Sequence, residues 1–215
     1  MQKEWDYTLY LVTDRRLITQ PTLEAAVEQA ILGGCTMVQL REKEVSSREF
    51  FQTALRVQNV TRRYQVPLLI NDRVDVALAV NADGVHIGQK DLPCREVRGL
   101  LGADKLLGVS AATVQEAQEA ERDGATYLGV GAMNATSTKT DTRVVTPPLL
   151  AEIKASVKIP VVAIGGIHSG NVANLAGTGI DGIAVVSAVL AQPDICKAAG
   201  DLKEQFRRIC HADAR

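Results

Sequence analysis

Asp72 and Asp91 stand 19 residues apart, each just past a short apolar stretch, LLI before Asn71 and GVHI before Gly88. If both stretches are parallel strands of one sheet, the two carboxylates leave at the same end and converge on one point. Carboxylate oxygens on a shared rim suit a hard divalent cation, and Mg²⁺ held in this way usually also takes phosphate oxygens from a substrate. A purely local role is equally simple: Asp72 capping the helix that enters RVDVALAV, and Asp91 holding the turn before Pro93. The residue types alone leave both roles open.

More charge follows another apolar run. After CTMV comes Gln39-Leu40-Arg41-Glu42-Lys43, and period-two geometry puts Gln39, Arg41 and Lys43 on one side of a strand. Two cations beside two acids can hold a metal-bound pyrophosphate, the metal bridging oxygens and the cations taking the remaining charge. An isolated RExK is more often a solvated face, but here the charges emerge from a buried strand.

Ser110 follows LLGV and is either a hydroxyl donor or a turn residue. The longest connection, Gly131 to Val145 (GAMNATSTKTDTRVV), is either a binding loop or a surface loop; Thr136, Ser137 and Thr138 offer hydroxyls and backbone donors, and Lys139 adds a charge. Gly165-Gly166 and Val186-Ser187 each follow an apolar run and can present backbone N–H groups to an anion. Asn71 completes this polar set. His86 lies within an apolar run and reads as a satisfied core residue, His168 as a surface residue beside the glycine pair, and His211 belongs to the tail. No Cys/His or Ser/His/Asp arrangement supports nucleophilic catalysis.

The elements that must position these residues alternate along the chain. YTLYLVT, CTMVQL, PLLI, GVHI, KLLGVS, ATYLGVG, PVVAI and GIAVV read as strands. Helical periodicity separates them: Leu23, Ala26, Val27, Ala30 and Ile31 share one face after Pro21, and Ser46/Glu49 and Thr113/Glu116 match capping boxes. Further helices are predicted from about Pro93 to Leu101, from Thr146-Pro147, over Asn171 to Ala176, and from near Asp194. The strands are continuous apolar runs, as parallel strands covered on both faces require. Eight units of about 27 residues fit a compact (β/α)₈ TIM barrel, with a parallel eight-stranded sheet, better than an open doubly wound sheet. No linker or low-complexity tract interrupts it, so residues 1–215 are expected to form a single barrel domain. The active site of such a barrel lies at the C-terminal ends of the strands, and loops seven and eight commonly bind phosphate.

Composition narrows the partners. The chain has 215 residues, 46% of them hydrophobic and 23% charged, with a net charge of −1. No basic excess is present for a nucleic-acid or membrane-surface role. Cys35, Cys94, Cys196 and Cys210 are widely spaced and read as reduced thiols. With no signal peptide and no membrane-length apolar stretch, a soluble cytoplasmic protein is expected. Any homo-oligomer interface would lie on helix surfaces.

QLREK, NDRVDVALAVNADGVHIGQKD, TSTK, PVVAIGGI and GIAVVSA occur in an order that closely resembles the thiamine-phosphate synthase (thiamin phosphate pyrophosphorylase) family over about residues 8 to 190. The resemblance implies a (β/α)₈ barrel that joins 4-amino-2-methyl-5-hydroxymethylpyrimidine diphosphate to thiazole ethyl phosphate, its two small-molecule partners. Pyrophosphate leaves with the help of one Mg²⁺. It further implies that Asp72 and Asp91 hold the metal. Gln39, Leu40, Arg41, Glu42, Lys43, Asn71, Ser110 and Lys139 would bind the pyrimidine diphosphate, with Arg41, Lys43, Lys139 and Ser110 acting in catalysis. Thr136, Ser137, Thr138, Gly166, Val186 and Ser187 would bind the thiazole phosphate. The chain departs from the family's GPVFPTSTK in reading GAMNATSTK, with Ala132, Met133, Asn134 and Ala135 before the TSTK element. A non-coupling relative that binds only thiazole phosphate is the rival reading; the presence of Arg41, Lys43, Asp72, Asp91 and Lys139 favours the synthase. Another phosphate-binding barrel would need an acid/base pair where this rim sets acids beside cations.

Overall fold

The computed structural model describes residues 5–134 and 143–212, the last three of them as backbone only. Eight parallel strands close into a barrel in sequence order: β1 (Leu9–Val12), β2 (Met37–Leu40), β3 (Leu68–Asn71), β4 (Gly84–Ile87), β5 (Leu106–Ala111), β6 (Tyr127–Val130), β7 (Val161–Ile164) and β8 (Gly182–Val185). β8 pairs back onto β1, with Tyr10 opposite Ala184. The helices are α1 (Leu23–Leu32), α2 (Ser47–Arg63), α3 (Val74–Ala79), α4 (Cys94–Leu101), α5 (Val114–Arg122), α6 (Pro147–Ser156), α7 (Ser187–Leu190) and α8 (Ile195–Ala212). This is the (β/α)₈ TIM barrel that the strand–helix alternation predicts.

Because the strand period is two, alternate side chains face the helices and the barrel interior. Leu9, Leu11, Val38, Leu40, Leu68 and Ile70 pack outward against the helices, in one continuous core with Phe50, Ala54 and Val57 of α2. Tyr7, Tyr10, Met37, Leu69, Leu106, Tyr127 and Val162 fill the interior. Both faces of the strands are therefore covered except at the mouth, where Asn71, Ser110 and Ile164 are half-buried, which is why the strands read as largely unbroken apolar runs.

Helix starts follow local chemistry, with corrections to the sequence reading. α1 opens at Thr22, whose hydroxyl accepts from Ala25 N, so Pro21 lies outside the helix; the five periodic residues of α1 are all buried as predicted. Ser46 and Thr113 cap α2 and α5, but neither capping box closes. Glu49 pairs with Arg15, and Glu116 accepts from Ala112 N at 2.7 Å. The short helix expected at Asn171 to Ala176 is a single 3₁₀ turn, Val172–Leu175. In α8, Ile195, Ala199, Leu202 and Phe206 are buried, while Ala198 and Ile209 are half-buried.

Among the described residues, no helix is long and apolar enough to cross a membrane. Cys35, Cys94 and Cys196 are free thiols. Burial pushes the Cys35 thiol up to about 12, and burial together with Asp123 pushes Cys94 up to about 11. Thiols held protonated in this way are poor nucleophiles.

Candidate active site

At the C-terminal ends of the strands the mouth of the barrel forms a depression with two lobes. One is charged and is lined by Lys43, Asp72, Lys90, Asp91, Glu116 and Arg143. The other is lined by Val12, Gln39, Ala132, Ile164 and the turns Gly165–Ile167 and Val185–Ser187. Arg41, Asn71, His86, Ser110 and Gly131 line both and form the wall between them.

The charged lobe is built where β2, β3 and β4 end. Asp72 follows β3 with φ +60°, in the left-handed region that side chains other than glycine enter at a cost. Its N–H donates to His86 O at 2.8 Å, tying the exit of β3 to β4. The N-cap position of α3 is Arg73, with no side-chain cap, so Asp72 does not have the capping role that the sequence left open. Asp91 does hold its turn, accepting from Gly88 N at 2.7 Å, and its carboxyl also contacts that of Asp72.

The two acids are driven apart in proton affinity. Burial, reinforced by the neighbouring Asp72 charge, raises the Asp91 carboxyl above the usual range. Burial works to raise Asp72 as well, but the Lys43 ammonium paired with it prevails and holds it below that range. Two carboxyls in contact, one resisting ionisation, make a site that a divalent cation relieves. Among the described residues no group of three or more His, Cys, Asp or Glu side chains could enclose a metal. An oxygen pair is nevertheless sufficient for Mg²⁺, which commonly takes one or two carboxylates and completes its shell with water and substrate phosphate.

Arg41 is placed from two sides. Its N–H donates to Thr13 Oγ1 at 3.0 Å, and its guanidinium lies 3.9 Å from Asp14. Asp14, at the exit of β1, is 5% exposed, and a hydrogen bond from Arg16 is the main force holding its carboxyl below the usual range. The sequence reading missed Asp14; its only signal was a polar residue at a strand exit. It likewise missed the charged-lobe residues Glu116 and Arg143, which pair at 3.2 Å. Gln39, Arg41 and Lys43 all reach the mouth. The side chains of Leu40 and Glu42 turn away, Leu40 into the outer core and Glu42 onto Arg15 at 3.0 Å.

Backbone dominates the second lobe. Gly165 and Gly166 have φ of +103° and +63°, which glycine alone adopts freely. Asn171 Nδ2 donates to Gly166 O at 2.8 Å and so turns the following peptide N–H the other way, as a trans peptide must. The long connection is anchored here: Met133 N donates to Ile164 O and Asn134 N to Gly165 O, each at 3.0 Å. Met133 is buried in the outer core, so the departure from the family pattern still packs its stem. Val186 and Ser187 sit at the start of α7 on the same lobe. Thr136, Ser137, Thr138 and Lys139 lie outside the described residues. His86 is buried and satisfied as expected, but it also forms part of the wall between the lobes. His168 serves its own turn, accepting from Gly170 N at 3.1 Å.

Comparison with known proteins identifies the family. A model of the thiamine monophosphate synthase family matches residues 9–189. The chain belongs to that family. A thiamine-phosphate synthase of Ruminiclostridium cellulolyticum is 58% identical over 206 residues, covering 96% of this chain and 98% of that protein. A thiamine-phosphate synthase of Clostridium botulinum is 54% identical over 209 residues, covering 97% and 98%. The solved thiamine phosphate pyrophosphorylase from Pyrococcus furiosus superposes with a TM-score of 0.87 at 40% identity, covering 95% of this chain and 97% of that one. This member of the thiamine monophosphate synthase family is an enzyme, a transferase of thiamine biosynthesis.

Proposed function

We propose that this enzyme couples 4-amino-2-methyl-5-hydroxymethylpyrimidine diphosphate to thiazole ethyl phosphate, releasing pyrophosphate and forming thiamine phosphate. The observation that carries the reading is the contact pair Asp72–Asp91, set beside Lys43 and Arg41 in a lobe that opens onto the Gly165-Gly166 turn. One lobe has the charge to hold a metal-bound diphosphate, and the other has backbone donors for a monophosphate.

Asp72 and Asp91 would hold one Mg²⁺, which when bound supplies charge neutralisation to the departing diphosphate. Arg41, Lys43 and Lys139 complement the oxygens of that leaving group, interactions that strengthen as its charge grows and are expected to lower the barrier by several kcal/mol. The C–O bond between the pyrimidine methylene and the diphosphate breaks with both electrons leaving on oxygen. The aminopyrimidine delocalises the resulting cation, while Gln39, Asn71 and Ser110 fix the ring. The thiazole nitrogen then forms the new bond with its lone pair, its phosphate held by Gly166, Val186, Ser187 and the Thr136-Ser137-Thr138 hydroxyls. No protein base is required for either bond change. A thiazole carrying a 2-carboxyl group would lose CO₂ after coupling. The work takes place in the cytoplasm, where phosphorylated intermediates are retained.

The test is pyrophosphate release by the purified chain with each substrate alone and with both, in the presence and absence of Mg²⁺. Release that requires both substrates and the metal is expected. Binding of thiazole phosphate without any release would overturn the coupling reading in favour of a non-coupling relative.

A further inference from the structure

Arg143 is a cation of the charged lobe that the proposed function does not use. It lines that lobe and not the other. Arg41 and Lys43 enter the mouth from the exit of β2, whereas Arg143 lies against the exit of β6. In a closed ring of eight strands in sequence order these two exits face each other, so the cations approach from opposite sides.

The main chain of Arg143 is pinned. Ala132 N donates to Arg143 O at 2.9 Å, and Val145 N donates to Ala132 O at 2.8 Å. Val145 is fully buried, which fixes the point where the chain re-enters the fold. The side chain reaches Glu116, with Nη1 donating to Oε1 at 3.2 Å. Glu116 is held from behind, its Oε2 accepting from Ala112 N at 2.7 Å. Among the described residues Glu116 is the one side-chain partner of Arg143, which leaves most of its donor fork for a ligand.

Stability does not account for an arginine here. The Arg143 side chain is 73% exposed, and a pair so open to water contributes little. Charge does account for it. Arg41, Lys43, Lys90 and Arg143 line the lobe against Asp72, Asp91 and Glu116, a formal excess of one positive charge. Lys43 is committed to Asp72, and Arg41 lies beside Asp14. Arg143 supplies the balance, and its planar fork can meet two phosphate oxygens at once.

Position decides which phosphate it meets. Coupling requires the pyrimidine methylene beside the thiazole, so the reacting carbon belongs at the wall that the lobes share. The inner phosphate, bonded to that carbon, stays near Arg41, Asn71 and Ser110 of the wall. The outer phosphate extends into the charged lobe, toward residues that line it alone. We infer that Arg143 is a further substrate-binding residue that grips the outer phosphate and makes the enzyme select the pyrimidine diphosphate over its monophosphate. A monophosphate ends before it reaches this guanidinium. The inference rests on the substrate reading above.

The experiment measures calorimetric binding of 4-amino-2-methyl-5-hydroxymethylpyrimidine monophosphate and of the diphosphate, both with Mg²⁺ present. The full chain, Arg143→Gln and Arg95→Gln are compared. Arg95 is exposed in the first turn of α4 and lines neither lobe, so its variant controls for the loss of one positive charge. Arg143→Gln is expected to weaken the diphosphate by about tenfold and the monophosphate by no more than about twofold. Arg95→Gln should match the wild type for both. In the steady-state assay the inhibition constant of inorganic pyrophosphate should rise about tenfold in Arg143→Gln, with KM for thiazole phosphate unchanged. A wild type that binds both pyrimidine phosphates alike overturns the inference. So does an Arg143→Gln enzyme that keeps the wild-type preference, or an Arg95→Gln enzyme that loses it equally. Pyrophosphate release by the same wild-type preparation separates this failure from failure of the substrate reading.

Discussion

Under the proposed function, the two lobes of the mouth would hold anionic groups by different means. The charged lobe uses side chains, with Asp72, Asp91, Lys43 and Arg41 delivered by the exits of β2, β3 and β4. The other uses main chain, with Gly165 and Gly166 turned into conformations that only glycine adopts freely and Val186-Ser187 at the start of α7. Charge that must follow a developing leaving group is best met by ions, and a phosphate that only anchors its substrate is adequately met by fixed dipoles. One lobe is therefore suited to the chemical step and the other to binding.

Asp72→Ala is expected to break this comparison most severely. It should lower pyrophosphate release by about 10²–10³-fold, the loss typical of removing a main stabiliser of transition-state charge. The KM for thiazole phosphate, read in the same steady-state assay, should stay within about twofold. Gly166→Ala is the opposite experiment. A side chain at φ +63° costs roughly 1–2 kcal/mol and should shift the turn, so KM for thiazole phosphate should rise about tenfold while KM for the diphosphate holds.

Asp14→Asn should have the smallest effect, because this acid lines neither lobe, pairs mainly with Arg16 and reaches the site only through Arg41. The folded carboxyl of Asp14 is held below the usual range, chiefly by Arg16. Its stabilisation is therefore complete above the ordinary carboxylate value near 4 and is lost as pH falls through the lower folded value. Thermal unfolding should show the variant less stable by no more than about 1 kcal/mol near neutrality, with the gap closing on acidification. A gap that widens in acid would reverse the sign.

The contrast between the lobes also explains what could be read from the sequence. Strand exits announce charged side chains, so Arg41, Lys43, Asp72 and Asp91 stood out as soon as the strands were placed. The barrel itself was legible because both faces of each strand are buried, leaving apolar runs separated by helical periodicity. Gly165-Gly166 carried meaning only through its ordinal position after β7. The line of hydrogen bonds inside the barrel from Tyr10 through Tyr127 to His86 was illegible, because two tyrosines within apolar runs look like ordinary strand formers. It depends on β1, β4 and β6 facing one another across a closed interior, between residues as far apart in sequence as 10 and 127. Glu116 was hidden differently: its spacing fits a capping box, yet its carboxylate serves Ala112 and Arg143.

The most direct test of this division is calorimetric binding of pyrimidine diphosphate and of thiazole phosphate, each alone, with Mg²⁺ and after its removal by chelation. The expected result is that chelation weakens the diphosphate by at least about tenfold, as loss of a bridging cation should, and leaves the thiazole phosphate within about twofold. Equal weakening of both ligands, or of neither, would contradict the assignment of metal and charge to one lobe and of backbone to the other.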